Sequence, residues 1–506
     1  MPGAPVVPAG QPREPRRYFH AVAVDFDGTL ALDGRVEADT RGAIDEARDK
    51  GVRVVVVTGR ILDELRGVVE DLEDFSDAVV AENGCVVWMP GRNWSAAKPI
   101  DGRLGEALTS AHINFRRGEV ILACSGEDEP QVLAEVRSLG LDCQLVRNRS
   151  ELMVLPAGVT KATGLLEVLT ELGVSPHNTI AIGDAENDAP MLESCELAVA
   201  VANAIDALKA RADIVLPEPN GLGVASFLRG PILAAPEAPS SARLELTLGV
   251  DEDGAAVRLP ASRLNVAILG ASGEGKSYVA GLVAEQLVGL RYSLLVIDPE
   301  GDFLGLADLP GVVMIEGAHS LPSPEVALRP FAHSDLSIVI DLTGIDASRR
   351  DAYVAGLRHQ VSDLRARTGR PHWVVVDEAQ DALGIEESPS GWGLSAGETG
   401  HCLVTWKSEV LPLTVVGAID AVVLVGREPA PAAVHFAAQA TGHPETELEE
   451  RFPLRPGHAL LARRAADAPL TTLSIAARRI PDTSTSTRAR AWGAIGASTS
   501  VATTRP

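Results

Sequence analysis

Asp25-Phe26-Asp27-Gly28-Thr29 closes the apolar run AVAV, so two carboxylates stand at i and i+2 where a strand ends. Such a pair leaves the strand on one side while Phe26 turns into the apolar layer, and Gly28 permits the tight turn. Carboxylates crowded at the C-terminal end of a parallel strand, where open α/β sheets place their ligands, are costly without a cation. The pattern therefore predicts Mg²⁺. Three further signals follow in chain order. Thr58-Gly59-Arg60 ends the run VVVV with a hydroxyl and a loop amide suited to phosphate oxygens. Lys161 opens a helical pattern, a cation able to balance a nucleophile and a phosphoryl group. Gly183-Asp184-Ala185-Glu186-Asn187-Asp188 ends the run TIAIG and supplies more acids to a hard cation. The chemistry these residue types serve together is phosphoryl transfer.

A second constellation lies downstream. Gly270-Ala271-Ser272-Gly273-Glu274-Gly275-Lys276-Ser277 follows LNVAIL and precedes a helical pattern, the context a phosphate-binding loop requires. Its glycines let backbone N–H groups approach phosphates, Lys276 reaches the β and γ phosphates of ATP, and Ser277 binds Mg²⁺. About a hundred residues on, HWVVVDEAQ places Asp377 at a strand end for the Mg²⁺ shell, with Glu378 beside it to orient and deprotonate water. The chain has only six lysines, and two of them, Lys161 and Lys276, stand at these positions.

The elements that must position these groups read as α/β throughout. β-branched runs of four to six residues alternate with helical periodicity, which predicts parallel sheets. A first α/β unit is expected over 17–84 and 157–230, with a smaller α/β insertion over 85–156 that includes a helix near Pro130–Leu139. Residues 231–245, rich in Pro, Ala and Ser, read as a linker. A second α/β unit is expected over 246–480, opening with a hairpin from LELTLGV and AAVRLP. Residues 1–16 and 481–506 are expected to be a disordered leader and tail.

Composition narrows the partners. Among 506 residues, 45 Lys and Arg face 69 Asp and Glu, a net charge of −24. Residues 17–230 hold 20 basic against 35 acidic side chains and residues 246–480 hold 19 against 30, so both halves are acidic and nucleic acid is disfavoured as a partner. The five cysteines are scattered, which argues against a disulfide framework or structural zinc. Asp420 interrupts the longest apolar run, and no signal peptide or membrane span is expected, so the expected location is cytoplasmic.

DFDGTL, VVVTGR, Lys161 and GDAENDAPML resemble the four motifs of the haloacid dehalogenase superfamily over about residues 18–230. The insertion, with Glu82-Asn83-Gly84 at its entrance, is similar to the α/β cap of the Cof-type (subclass IIB) phosphatases and of the sucrose-phosphatase and mannosylphosphoglycerate-phosphatase branches. The resemblance implies a Rossmann-like core in which Asp25 attacks phosphorus and forms an aspartyl-phosphate, while Asp27 protonates the leaving oxygen and then activates water. It implies Mg²⁺ held by Asp25, the Asp27 carbonyl and Asp184 with Asp188 in support, and a phosphoryl group held by Thr58, Gly59, Lys161 and Asn187. The substrate implied is a small phosphorylated metabolite of sugar-phosphate type, chosen by the cap, where Arg116, Arg117, Arg147 and Asn148 are candidates.

LLVIDPEGDF, LSIVIDLTG, HWVVVDEAQ and HCLVTW resemble the strand ends of HerA/FtsK-type P-loop ATPases, a RecA-like fold, over about residues 245–475. This resemblance implies ATP hydrolysis and a ring-shaped homo-oligomer in which a neighbouring subunit lends an arginine; Arg350 and Arg427 are candidates. Where that family carries Gln after its sensor-strand Thr, this chain has Thr405-Trp406, which leaves phosphate sensing to Thr405. The barrel expected ahead of a HerA motor is replaced by a hairpin, and the acidic balance also speaks against DNA translocation. The alternatives are a nucleotide-dependent regulatory or assembly module, a DNA motor, or a nucleic-acid end-processing kinase-phosphatase.

Overall fold

A computed structural model describes residues 17–480 except 70, 149, 236–238, 240, 334–335, 383–393, 395–396 and 465–467. The expected leader and tail, and part of the expected linker, lie outside the described residues.

The first sheet runs in the order Ile214–Val215, Leu197–Ala200, Thr179–Gly183, Ala21–Asp25, Arg53–Val57, Ala78–Ala81, Val86–Met89, Arg92–Ser95. Its first six strands are parallel. The central ones are buried along their whole length, as strands covered by helices on both faces must be. Register does the positioning. Ala21 lies opposite both Thr179 and Arg53, and Asp25 opposite Val57, so the acids after two strands and Thr58 after a third emerge at one edge. The hairpin Val86–Met89 and Arg92–Ser95, expected within the insertion, instead extends this sheet antiparallel to Ala78–Ala81.

The insertion forms its own antiparallel sheet, Phe115–Arg117, Leu122–Ser125, Glu151–Pro156, Cys143–Asn148. Helices Gly102–Ser110 and Glu129–Leu139 cover it around a separate core of Leu104, Leu108, Val132, Val136, Leu152 and Val154.

The second sheet has a parallel centre, Ala421–Val425, Asn265–Leu269, His401–Thr405, Trp373–Val376, Leu294–Asp298, Ser337–Asp341, Val312–Glu316. The expected hairpin, Glu245–Asp251 with Ala256–Pro260, is not a free-standing element. It joins this sheet through Thr471–Ile475, with Gly249 opposite Ile475. A side chain at Gly249 would collide with the Ser474 carbonyl, so only glycine allows this approach.

The two sheets meet where their strands begin. His177 Nε2 lies 2.8 Å from the Leu290 carbonyl, Arg370 donates to the Gly173 carbonyl at 2.8 Å, and His372 Nε2 lies 3.1 Å from Asn178 Oδ1. The acid-bearing strand ends are at the opposite edges. Among the described residues no helix is long and apolar enough to cross a membrane.

Candidate active site

The first site is built around Lys161. Thr160 caps the helix Lys161–Leu172 in a reciprocal capping box with Thr163, which sets Lys161 at the first helical position. Its ammonium lies 2.6 Å from Asp25 Oδ1 and 2.5 Å from Asp188 Oδ1, and all three side chains are almost fully buried. Asp188 is further braced by the backbone N–H groups of Asp184 and Ala185, each donating to Oδ2 at 2.9 Å. Asp184 receives the Thr29 hydroxyl at 3.3 Å. One ligand atom from each of Asp25, Asp184 and Asp188 lies within 4.8 Å of the others.

Electrostatics fit a cation here. Burial pushes the Asp25 carboxyl well above the usual carboxylate range; Asp188 and Asp184 add to that, and Lys161 opposes it. Burial pushes the Lys161 ammonium down, yet Asp188 and Asp25 outweigh it and raise its pKa above normal. Three buried acids against one ammonium leave negative charge uncompensated, which suits a hard divalent cation.

The entrance to the insertion contributes more than a hinge. Glu82, Asn83 and Gly84 all take left-handed φ, of 52°, 56° and 105°. The buried Glu82 carboxylate accepts from the backbone N–H groups of Glu119, Val120 and Ile121 at 2.8, 2.9 and 3.1 Å, clamping the core loop to the insertion. Asn187 donates to Asn83 Oδ1 at 3.0 Å, while its own Oδ1 is buried without a partner. The tripeptide ENG was the sequence signal for Glu82 and Asn83, and their bonding partners lie too far along the chain to be read from it.

Asp27 stands apart from the acid cluster. Arg60 grips its carboxylate with two hydrogen bonds, 2.7 Å to Oδ2 and 2.6 Å to Oδ1. The pair lines a cavity of about 330 Å³ between core and insertion, shared with Gly59, Glu64, Arg116, Asn148 and Glu151. Of the four cap candidates, Arg116 and Asn148 line it. Arg116 is held by Glu64 at 2.5 Å and by Glu151. Arg147 is bound to Glu129 and the Gly126 carbonyl, and neither it nor Arg117 lines the cavity.

In the second half, Gly273 and Gly275 take φ of 78° and 97° and lead into the helix Lys276–Gly289. Gly270 packs so tightly on Val425 that a Cβ would come within 2.6 Å of its carbonyl. Lys276 donates to its own loop, to the Ala271 carbonyl at 3.2 Å. Asp377 is buried with neither oxygen hydrogen-bonded. Burial raises its pKa well above the usual range, reinforced by Asp298, Glu378 and Asp302. An orphaned buried carboxylate at the end of Trp373–Val376 fits a metal-bound role. Asp298 caps its own loop by accepting from Gly301, Asp302 and Phe303, and burial lifts it to about 6. Thr405 Oγ1 bonds Gln380 Oε1 at 2.5 Å, and Gln380 also bonds Glu378. Arg350 is paired within the chain to Asp381 at 3.4 Å, whereas Arg427 is exposed.

A larger cavity, of about 890 Å³, lies along the seam by His177 and Arg291, away from both sets of acids. Volume alone does not mark the chemistry.

Comparison with known proteins agrees with this division. The haloacid dehalogenase-like hydrolase family matches residues 22–129 and 131–228. A phosphoglycolate phosphatase of Methanopyrus kandleri is 33% identical over 225 residues, which cover 41% of this chain and 95% of that protein. The chain belongs to the haloacid dehalogenase-like hydrolases. Phosphoglycolate phosphatase 2 of Saccharolobus solfataricus is 32% identical over 216 residues (41% of this chain, 90% of that protein). The 5-amino-6-(5-phospho-D-ribitylamino)uracil phosphatase of Bacillus subtilis is 30% identical over 234 residues, 41% of this chain and 94% of that protein. Residues 247–370 of the hydrolase match the central domain of helicase HerA, an ATPase-type family.

Within this hydrolase, Asp25, Lys161, Asp184 and Asp188 come together as one buried group, with Asn187 linked to Asn83 beside them. Thr58 is buried and accepts from the Arg60 N–H at 3.1 Å, and Gly59 lies against Met153 of the insertion. Arg60, read only as the end of its loop, and Gln380 are residues to which the sequence assigned no role of their own. Each is visible only through a partner that the fold supplies.

Proposed function

We propose that the N-terminal half is a Mg²⁺-dependent phosphatase for a small phosphorylated metabolite of sugar-phosphate size, working through an aspartyl-phosphate on Asp25, and that the C-terminal half hydrolyses ATP. The observation that carries the reading is the single ammonium of Lys161 shared by Asp25 and Asp188, with Asp184 within ligand reach.

In this reading Asp25 attacks phosphorus with one carboxylate oxygen, and the bond from phosphorus to the ester oxygen breaks. Asp27 gives a proton to the departing oxygen. It then takes one from the water that attacks the acyl phosphate, which releases phosphate and restores Asp25. Lys161 offsets charge on Asp25 and on the transferring group, while Thr58, Gly59 and Asn187 supply donors to its oxygens. Asp25, Asp184 and the Asp27 carbonyl would hold Mg²⁺, braced by Asp188; the ion's contribution is to neutralise charge developing on the phosphoryl oxygens. In the other half the loop 270–277 cradles the ATP phosphates, Lys276 leaves the Ala271 carbonyl for them, and Ser277 and Asp377 would hold a second Mg²⁺. Glu378, steadied by Gln380, orients the attacking water. A ring of copies that brings Arg427 to a neighbour, and a cytoplasmic location, belong to the same proposal.

The test is phosphate release from a panel of small phosphomonoesters. Turnover should vanish in Asp25→Asn and on chelation by EDTA, and return with Mg²⁺. ATP turnover should be lost in Lys276→Ala and Glu378→Gln. Release that survives Asp25→Asn would end the phosphatase reading, and ATP turnover indifferent to both variants would end the other.

A second reading, in which the nucleotide state of the C-terminal half regulates the phosphatase, is favoured by the buried seam. The helix Lys276–Gly289 is capped by Leu290, whose carbonyl contacts His177, just ahead of the strand Thr179–Gly183 that leads to Asp184. Phosphatase rates that are equal with and without ATP would exclude it.

A further inference from the structure

Glu82, Asn83 and Gly84 are three left-handed residues in a row, two of them not glycine, where the core chain leads towards the insertion. Left-handed backbone at a residue with a side chain is costly, and it persists only where its surroundings fix it. The contacts of the tripeptide show what fixes it. The Glu82 N–H donates to the Arg60 carbonyl at 2.9 Å and the Asn83 N–H to the Thr58 carbonyl at 3.0 Å, which ties it to the loop 58–60. A Cβ on Gly84 would fall 2.0 Å from the Thr160 carbonyl oxygen and 3.2 Å from the Lys161 nitrogen, so the same backbone packs against the start of the lysine helix. The Asn83 side chain reaches a third segment, accepting from Asn187 Nδ2 at 3.0 Å.

We infer that Asn83 is a positioning residue for phosphoryl transfer. Its side-chain oxygen takes one of the two Asn187 amide hydrogens and thereby aims the other at the transferring group. This rests on the phosphatase reading above and goes beyond it, because that reading gives Asn83 no part.

Three observations support the role. The first is that Asn187 has one anchor. Its Oδ1 is buried without a partner, so among the described residues Asn83 alone fixes the plane of that carboxamide. The terminal torsion of an Asn side chain has a broad, two-fold profile, and an unheld amide spreads the direction of its N–H groups. The second is burial. Asn83 and Asn187 are 2% and 8% exposed, so bulk water cannot replace the bond between them. The third is contrast with the neighbours. Asp188 is held by Lys161 and by two backbone N–H groups, and Asp184 receives the Thr29 hydroxyl. The acids of the loop 184–188 have restraints of their own, and its amide depends on Asn83.

The residue type fits both demands. Asn adopts left-handed backbone more readily than most residues with a side chain, so one position carries the turn and the acceptor together. Glycine would carry the turn alone, and that difference is the basis of the test.

The experiment is a double-variant cycle on the full-length protein with Mg²⁺, using the phosphomonoester turned over fastest in the panel above. Asn83→Gly keeps the left-handed backbone and the N–H to Thr58 and removes only the acceptor, so its urea midpoint should match wild type within error. Its kcat should fall about 10-fold or more, with KM changing by less than about threefold. Asn187→Ala should fall at least as far. The double variant should be no slower than Asn187→Ala, because the anchor then has nothing left to aim. Asn83→Ser, whose hydroxyl ends short of the carboxamide oxygen, should repeat both the loss and its absence in the Asn187→Ala background. Orthovanadate, which adopts the five-coordinate shape of the transferring group, should inhibit Asn83→Gly more weakly by about the factor lost from kcat. An unchanged kcat in Asn83→Gly overturns the inference and leaves the phosphatase reading standing. So do losses that multiply in the double variant, since Asn83 would then act by a route other than Asn187. The phosphatase reading fails on a different result, wild type that turns over no ester of the panel, and the inference falls with it.

Discussion

The Tyr292 hydroxyl donates to Glu196 Oε2 at 2.8 Å across the seam between the two sheets. The same oxygen meets His177 Nδ1 at 2.8 Å, and the imidazole stacks on the Tyr292 ring with centroids 3.6 Å apart. His177 Nε2 faces the Leu290 carbonyl, which can only accept, so that nitrogen carries a proton. One buried carboxylate thus gathers a tyrosine from the HerA-like half and a histidine from the phosphatase half.

Tyr292→Phe removes one of these bonds while keeping the ring. Glu196 Oε1 is buried without a hydrogen-bond partner among the described residues, so the carboxylate is already short of donors. We expect a cost of about 1–3 kcal/mol, read as a lower urea midpoint. An unchanged midpoint would show that the seam does not contribute to folding.

Acid should loosen the same seam. Ser293 N–H donates to His372 Nδ1, so His372 is neutral and presents Nε2–H to Asn178. Burial first, then His177 and Arg370, holds its pKa well below the usual value, and burial with Arg17 takes His20 down to about 4. For a histidine whose folded pKa is depressed, the unfolded chain binds more protons. The stabilisation is complete above about pH 6.5 and is lost as pH falls towards the folded pKa. Stability should therefore drop between about pH 6.5 and 4, by up to roughly 1.4 kcal/mol per pH unit for each histidine. His20→Gln, at a residue whose Nε2 has no partner, should flatten the urea midpoint against pH. An equally steep profile in that variant would remove His20 from the account.

What the sequence made legible was whatever one strand end carries by itself. Asp25, Asp184 and Asp188 stand out because acids recur just past the point where a parallel strand stops, and register then aligns those stops; Lys161 stands out as a rare lysine that opens a helical pattern. The loop 270–277 stands out because glycine is needed at each left-handed or crowded position. Contacts between distant segments were not legible. Nothing local to Val86–Ser95 says which of two sheets it will extend, since either edge accepts the same apolar alternation. Arg60 reads as the end of a phosphate loop until the fold brings it to Asp27. The seam joins residues 177–196 to residues 290–372, and no periodicity reports on a pairing across that separation.

Gln380 offers a test of the ATP-hydrolysing site proposed for the C-terminal half. It bonds both Thr405 and Glu378, so Gln380→Ala should free the glutamate to wander and leave Thr405 unsatisfied. Turnover of ATP should fall about 10- to 100-fold, with KM changing less, because the loss is of orientation and not of phosphate contacts. A drop confined to KM would place Gln380 in nucleotide binding instead.

Gly164 tests how Lys161 is held in place. A Cβ there would lie 2.6 Å from both the Gly84 carbonyl oxygen and Val80 Cγ1, and 2.8 Å from Gly84 Cα. Two of those atoms are backbone of the strained loop Glu82–Gly84, which cannot swing aside as a flexible side chain would. In Gly164→Ala the helix Lys161–Leu172 must therefore back away from the sheet, and it takes with it the residue at its first position. Small displacements at a reacting centre are expensive, so phosphatase kcat should fall by about 10-fold or more, alongside a destabilisation of about 1–3 kcal/mol. Gly67 sits in the helix Leu62–Val68 with nothing within 4 Å of where a Cβ would stand, and Gly67→Ala is the matched control. It should keep its rate and gain a few tenths of a kcal/mol from helix propensity. If Gly164→Ala instead keeps kcat while losing stability, the ammonium of Lys161 does not depend on the close packing of that helix, and the Lys161–Asp25 distance of 2.6 Å has another cause.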